Sequence, residues 1–395
     1  MKSQDLIILL FIFFSFSVES QNLHTSKIIV DKTTKLPLEN VNIFNVSDNS
    51  TTNAEGNFVF VSKKNEINFN LLGYNDFKTT FDKLKNKDTI FMDLKPIELE
   101  DVIVSDGESI IKKVHDSIGK NYVLTTYSEN FFLRCLLKQN SEIVRLQDIY
   151  GKLSRNSVFK TDPNKKLEFA VEILNMRKTG IKEKQDIVYF KFPSLNEFLT
   201  LSSSILFNNT KYYDFTEIKS VDDNFRKINF VLKDKTQQQL NGYFLINRED
   251  YAIKEIVLDF YNDINSIPYQ EIKGHKFRPT AYKITVNYIK NSKTNKYYLS
   301  NTRLEASTEL LGDKKEASTI YDFTANLFIA NSFTTEKVNS NFSIDKDIFK
   351  AKFPYSEDFW NNQNQLPLTA DLKVFIKSVS DKKDKNKEYE VIGNF

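Results

Sequence analysis

Thr52-Asn53-Ala54-Glu55-Gly56-Asn57-Phe58-Val59-Phe60-Val61, followed by Ile67-Asn68-Phe69-Asn70-Leu71, is the stretch that decides the fold class. Asn53 to Asn57 reads as a turn, because Gly56 takes a positive φ without steric cost and Asn side chains bond their own backbone. Phe58 and Phe60 alternate with Val59 and Val61, so the strand after the turn is apolar on both faces and is expected to be internal to its sheet. Ile67, Phe69 and Leu71 alternate strictly against Asn68 and Asn70, the period-two pattern of a strand with one buried face.

The same signals extend in both directions. Lys27–Asp31 reads as a first strand, Thr33 to Pro37 as a turn, and Val41, Ile43 and Val46 as a second strand. Gly73-Tyr74 breaks the pattern, after which Phe77 with Phe81, Ile90 with Met92 and Leu94, and Val102 with Val104 continue it. Short strands this closely spaced predict a small β-sandwich over residues 21–104. Residues 105–122 change period: Ile110, Ile111, Val114 and Ile118 fall at helical spacing, with Ser105 or Asp106 as N-cap and Gly119 near the end. This linking helix is expected to pack its apolar stripe on the next domain.

Residues 123–332 carry longer alternating runs. Asn130–Lys138 pairs with Glu142–Ser154 around Gln139-Asn140-Ser141, Gly242–Asn247 with Tyr251–Tyr261, and Ala281–Lys290 with Lys296–Glu309. Asp186–Phe192, Phe225–Asp234 and Lys315–Ala330 are further strands, and Ser194–Phe207 a short helix. Hairpins with few helices predict one large antiparallel sheet, so the chain is mainly β. Residues 333–395 form a C-terminal extension: an aromatic cluster between Asp347 and Trp360, a helix or docked tail over Leu366–Val379, and a solvated charged tail over Asp381–Glu390. Val391 and Gly393 before Phe395 do not read as an alternating strand, and the charged tail excludes a lipid-facing one.

The N-terminus predicts export. Lys2, an apolar run from Leu6 to Phe16 and the short residues Val18 and Ser20 make a secretory signal over residues 1–20, too short for the ~20 residues of a membrane helix. Cys135 stands alone, so no internal disulfide forms; it is expected to be a buried small hydrophobe. With 55 basic and 52 acidic residues, bulk charge draws no nucleic acid. The 34 Phe and 18 Tyr against 10 Gly suit long regular strands.

Four blocks resemble the carboxypeptidase-regulatory-like domain of the transthyretin-like (prealbumin-like, Greek-key) sandwich group: Ile29-Val30-Asp31, Leu36-Pro37-Leu38-Glu39-Asn40-Val41-Asn42-Ile43, Thr52 to Phe58, and Leu71-Leu72-Gly73-Tyr74. The Gly usual before the first strand is replaced by Ser26-Lys27. Leu99 to Val104 resembles the segment following this sandwich in TonB-dependent outer-membrane receptors, although the chain is far too short for a barrel of ~22 strands. The resemblance implies an accessory domain without a peptidase site.

The residues agree with that implication. His24, His115 and His275 are the only histidines, and none stands in His-x-x-Glu or His-Glu-x-x-His. Ser202-Ser203-Ser204 lacks the glycines of a nucleophile elbow, no Gly-rich phosphate loop occurs, and Asp222-Asp223 reads as a solvated acidic pair. No catalytic, cofactor or metal residue is assigned, and no enzyme or cofactor is expected. The expected role is a protein-docking or assembly module at the periplasmic face of the outer membrane, its partners envelope proteins. The alternative is a periplasmic lipid or lipoprotein carrier, because a large sheet with one amphipathic helix resembles in outline the half-barrel of periplasmic lipoprotein carriers, with an apolar cleft for acyl chains.

Overall fold

Alternation of Phe and Val against Asn and Ser builds two small sheets first. In the computed structural model the described residues are 22–95, 107–159, 166–181, 193–200, 210–218, 220, 222–234, 240–260, 267–272, 274–311, 318–334, 336–381 and 389–395. The signal segment, the strand at Val102 and Val104, the caps Ser105 and Asp106, Asp186–Phe192 and Ser202 to Ser204 lie outside them.

Seven strands form the N-terminal sandwich: β1 Leu23–Asp31, β2 Asn42–Phe44, β3 Asn49–Thr51, β4 Asn57–Ser62, β5 Glu66–Asn70, β6 Phe77–Thr80 and β7 Thr89–Met92. They pair as β4-β1-β7 and β3-β2-β5-β6, with β7 parallel to β1 and the rest antiparallel. Ile29, Ile43, Phe58, Phe60, Ile67 and Phe69 fill the space between the sheets. Phe58 of one sheet meets Phe69 of the other edge-on at 5.8 Å. The short helix α1, Phe81–Leu84, closes one end and stacks Phe81 on Phe60.

Two expectations need correction. The first strand begins at Leu23, because its N-terminal half pairs with β4 from Leu23↔Ser62 onward. The doubly apolar β4 is an edge strand of its sheet, not an internal one. Its exposed edge is sealed by a residue from the far end of the chain: Val61 N–H donates to Asn364 Oδ1 at 2.7 Å, and Asn364 Nδ2 donates to the Val61 carbonyl at 3.0 Å.

The linking helix α2, Gly107–Asn121, buries Ile110, Ile111, Val114 and Ile118 in the core of the next sheet, as its period predicts. It runs past Gly119. Lys296 Nζ donates to the carbonyls of Gly119 and Lys120, satisfying helix C-terminal acceptors with a cation. The Tyr122 hydroxyl then fixes the helix end to Ile253, donating to its carbonyl at 3.1 Å and accepting from its N–H at 2.8 Å.

Twelve further strands make one open, wholly antiparallel sheet: β8 Tyr127–Gln139, β9 Glu142–Arg155, β10 Phe169–Ile181, β11 Tyr213–Ile218, β12 Phe225–Leu232, β13 Leu240–Asn247, β14 Ile253–Phe260, β15 Gln270–Ile272, β16 His275–Lys290, β17 Tyr297–Leu310, β18 Thr319–Thr334 and β19 Tyr389–Ile392. Their order is β11-β12-β13-β14-β16-β17-β18-β8-β9-β10-β19, with β15 on β16. The three predicted hairpins are present. Asn140 and Ser141, at φ 48° and 69°, make the mirror-image turn that suits strand twist between β8 and β9. β16 starts earlier than read, its Pro279 absorbed where the register shifts between Pro279 and Ala281. β10 and β11 were not anticipated. Nor was β19, which pairs with β10 and places Tyr389 and Glu390 of the expected charged tail on the sheet edge.

One face of this sheet carries a single apolar cluster reaching from Phe215 of β11 to Ile173 of β10. The other face receives the sandwich and the C-terminal extension, which contains helices α3, Glu357–Asn361, and α4, Ala370–Ser380. Phe132, Tyr150 and Phe328 pack there on Trp360 and Leu366, and Leu146 on Leu372, Phe375 and Val379. The extension is therefore a structural layer. Within the sheet, Gly242 leaves no room: a Cβ there would overlap the Val257 carbonyl oxygen and stand 2.6 Å from Phe230 Cζ. Gly242→Ala is expected to lower stability by about 1–3 kcal/mol, read as a shift of the urea midpoint, through overpacking.

Candidate functional site

Even-numbered residues of β8 from Phe132 to Lys138 turn toward the sandwich and the C-terminal extension. Arg134 stands directly across from Asp148 of β9, and Asp148 is next in register to Arg177 of β10. Asp148 is fully buried. Arg134 grips it with two parallel bonds, Nε to Oδ1 and Nη2 to Oδ2, both 2.8 Å. Arg177 adds bonds to Oδ2 of 3.0 and 2.7 Å from Nε and Nη2. Burial works to raise the Asp148 carboxyl, but the two guanidiniums outweigh it and hold the group below its ordinary value.

The same guanidiniums hold the C-terminal extension. Arg134 donates to the carbonyls of Leu366 and Pro367, each at 2.9 Å, and Arg177 to Gln365 Oε1 at 2.6 Å. Arg177 also lies 4.4 Å from the Trp360 ring centroid and 4.7 Å from that of Phe395.

Beside this cluster opens a cavity of about 520 Å³ between three parts of the chain. Its floor is the sheet: Arg303 of β17, then Asn326, Thr324 and Asp322 of β18, then Arg134, Leu136 and Lys138 of β8. One wall is the sandwich, from Glu39 and Asn40 and from Thr51 to Glu55; the other is Leu366, Thr369, Asp371 and Leu372. The walls are tied together. Asn53 Nδ2 donates to the Pro367 carbonyl at 3.2 Å, Ala370 N–H to Glu55 Oε1 at 2.7 Å, and Arg303 Nη1 to Glu39 at 2.6 Å. Further bonds fix the sandwich to the sheet, including Tyr298 hydroxyl to Asn49, Ser300 hydroxyl to Asn42 and Asn331 to Asp48.

The opposite face of the sheet is filled by the chain's own side chains. Helix α2, Phe159, Phe198 and Leu199 of the helical residues 195–200, and Phe342 and Phe349 join the strand residues in one cluster. A second buried ion pair lies on that face: Arg155 Nη2 stands 2.6 Å from Glu129 Oε1. Burial pushes Glu129 up to about 7 against the pull of Arg155.

Other residues weighed in the sequence fall apart in space. His24 is on β1, His115 on α2 and His275 on β16. Among the described residues no group of three or more His, Cys, Asp or Glu side chains could hold a metal. Cys135 is fully buried, and burial pushes its thiol well above the ordinary value. Asp222 bonds Lys95 of the sandwich at 2.6 Å instead of working with Asp223. No local motif announced the cleft or the Arg134–Asp148–Arg177 cluster, since each draws on residues far apart in sequence.

No family model and no curated protein matches the chain. Solved structures similar to it include lipovitellin, described for its lipid–protein interactions, at 9% identity and TM-score 0.24 over 58% of this chain; the match spans 28% of lipovitellin. A chain of the Pseudomonas aeruginosa MucA/MucB complex matches at 6% identity and TM-score 0.17, covering 56% of this chain and 93% of that one. MucB in complex with MucA(peri) gives the same identity and score, with 94% of that chain covered. Likenesses this remote carry no argument.

Asp148→Ala is expected to cost about 3–5 kcal/mol in urea unfolding, because it strands two buried guanidiniums. A loss below about 1 kcal/mol would contradict the reading of the cluster as the anchor of the extension. Glu129 gives a pH signature. Its folded pKa lies above the unfolded value of ~4.3, so the folded state holds the extra proton between that value and about 7, and stability falls as pH rises across this window. Glu129→Gln is expected to flatten that slope in unfolding curves recorded at pH 5 and pH 7.5.

Proposed function

We propose that the protein is a non-enzymatic, exported envelope factor whose sandwich docks a partner polypeptide along β7. The observation that carries this reading is the unequal treatment of the sandwich edges. The β4 edge is sealed by Asn364, and β3 lies against the large sheet through the Asp48–Asn331 bridge. The outer edge of β7 is unpaired at Thr89 and Phe91 among the described residues, while the chain just beyond it, Asp93 to Lys95, pairs with Gly73 to Asn75; β6 is likewise an edge strand of the other sheet. In a strand paired on one side only, alternate residues turn N–H and C=O outward; here Thr89 and Phe91 do so, because β1 takes the groups of Asp88, Ile90 and Met92.

Apolar side chains accompany that edge. Phe91 is 47% exposed and Leu94 52%, and Lys35 Nζ caps the Phe91 ring at 4.6 Å. Unpaired backbone beside exposed apolar side chains suits an extended segment added as a further strand, with main-chain bonds giving affinity and alternate side chains giving selectivity. The secretory pattern of residues 1–20 and the carboxypeptidase-regulatory-like blocks support placing this docking at the periplasmic face of the outer membrane. Carriage of lipid in the large sheet is the weaker alternative, since the described residues on its apolar face already fill the space an acyl chain would take.

A photo-crosslinker in place of Phe91, in cells, is expected to trap an envelope protein, while the same probe at Lys83 on α1 traps none. Phe91→Asp is expected to abolish co-purification of that protein without altering the circular dichroism spectrum. Absence of any adduct from a folded Phe91-probe protein, or its recovery in the cytoplasmic fraction, would overturn the proposal.

A further inference from the structure

The cleft between sandwich, sheet and extension is unused by docking on β7, and its chemistry points to a different ligand. We propose that it is a binding site for a neutral, hydroxyl-rich ligand, a short oligosaccharide. The cavity, about 520 Å³, falls in the ~300–1,000 Å³ range of small-molecule sites and lies where such sites concentrate, between domains.

The floor selects the ligand class. β8, β17 and β18 are each paired on both sides, so the floor presents no main-chain edge to which an extended peptide could add. It presents side chains only. Among the bases around the cleft, Arg134 is committed to Asp148 and two carbonyls, and Arg303 to Glu39 and Glu305. Among the acids, Glu55 accepts from Ala370 N–H, and Asp371 accepts from the Thr369 hydroxyl. That internal pairing leaves no surplus of positive charge for a phosphate or an acidic headgroup.

What remains open is a patch of mixed donors and acceptors. Asp322 and Lys138 face each other across the β18–β8 register, both half-buried and neither in an ion pair among the described residues, and Thr324 and Asn326 continue the row along β18. A carboxylate accepts, an ammonium donates, and an amide and a hydroxyl do both. Vicinal hydroxyls, each donor and acceptor at once, match such a row. Leu136 and Leu372 beside it offer apolar contact to the C–H face of a sugar ring.

The experiment is isothermal titration of the folded chain with maltotriose, cellotriose and chitotriose, and in parallel with inorganic phosphate and with trialanine. At least one trisaccharide is expected to bind saturably, and Asp322→Ala and Asn326→Ala each to weaken it about tenfold or more, the size of a lost hydrogen bond to a charged or amide group. Thr324→Ala serves as a third variant should either of the first two fail to fold, checked by circular dichroism. The proposal is overturned if no trisaccharide binds at millimolar concentration, if binding is indifferent to the folded variants, or if phosphate or trialanine binds in place of the sugars. Retained binding of the same sugar by Phe91→Asp is expected, which separates this site from the docking edge.

Discussion

A carboxylate with no access to water, gripped from both sides by guanidiniums, is the interaction on which this structure hangs. Asp148 sits mid-sheet between Arg134 and Arg177, and the charges can be there only because every oxygen is bonded and the residual positive charge is spread over backbone carbonyls, an amide oxygen and two aromatic rings. Those carbonyls belong to the C-terminal extension. The cluster therefore dictates where residues 360–367 run, and through Asn364 it decides how β4 is covered. Loss of the extension would bare both an ion cluster and a strand edge.

The consequence is a large sheet covered on both faces by different means. One face is closed by α2, by segments returning from within the sheet and by Phe342 to Ala351 of the extension; the other by the sandwich and the rest of the extension. The polar bonds that tie sandwich to sheet are buried or part-buried and distributed along β17 and β18. The sandwich is thus a fixed bracket. Its β3 and β4 edges are committed to the fold, whereas β7 is unpaired at Thr89 and Phe91 among the described residues. A fixed bracket with unpaired strand edges suits the docking proposed for it.

Much of the fold was legible because strand alternation is local. Ile67 to Leu71, the turn at Gly56 and the stripe Ile110, Ile111, Val114 and Ile118 each report their own burial. The hairpin turn at Asn140-Ser141 was readable for the same reason. β4 misled, because two apolar faces ordinarily mean neighbours on both sides; here the cover on its edge is a side chain 303 residues distant. β10 was missed because its period is broken by polar residues that are buried, Asn175, Arg177 and Lys178, each bonded to the extension or to its neighbours. β19 looked solvated because Glu390 looked free, whereas it pairs with the buried Lys178. Arg134, Asp148 and Arg177 carry no local mark of their role, since they come from three different strands. The cleft had no local signal, since floor and walls come from six separate stretches.

Native-state hydrogen exchange at the Val61 and Leu133 amides tests most directly whether the extension binds sandwich and sheet into one unit. Both amides should open with the same free energy, equal to that of global unfolding. Val61 exchanging through a much cheaper opening while Leu133 stays protected would mean that the sandwich comes and goes independently, and the central role given to Asp148 and its guanidiniums would be wrong.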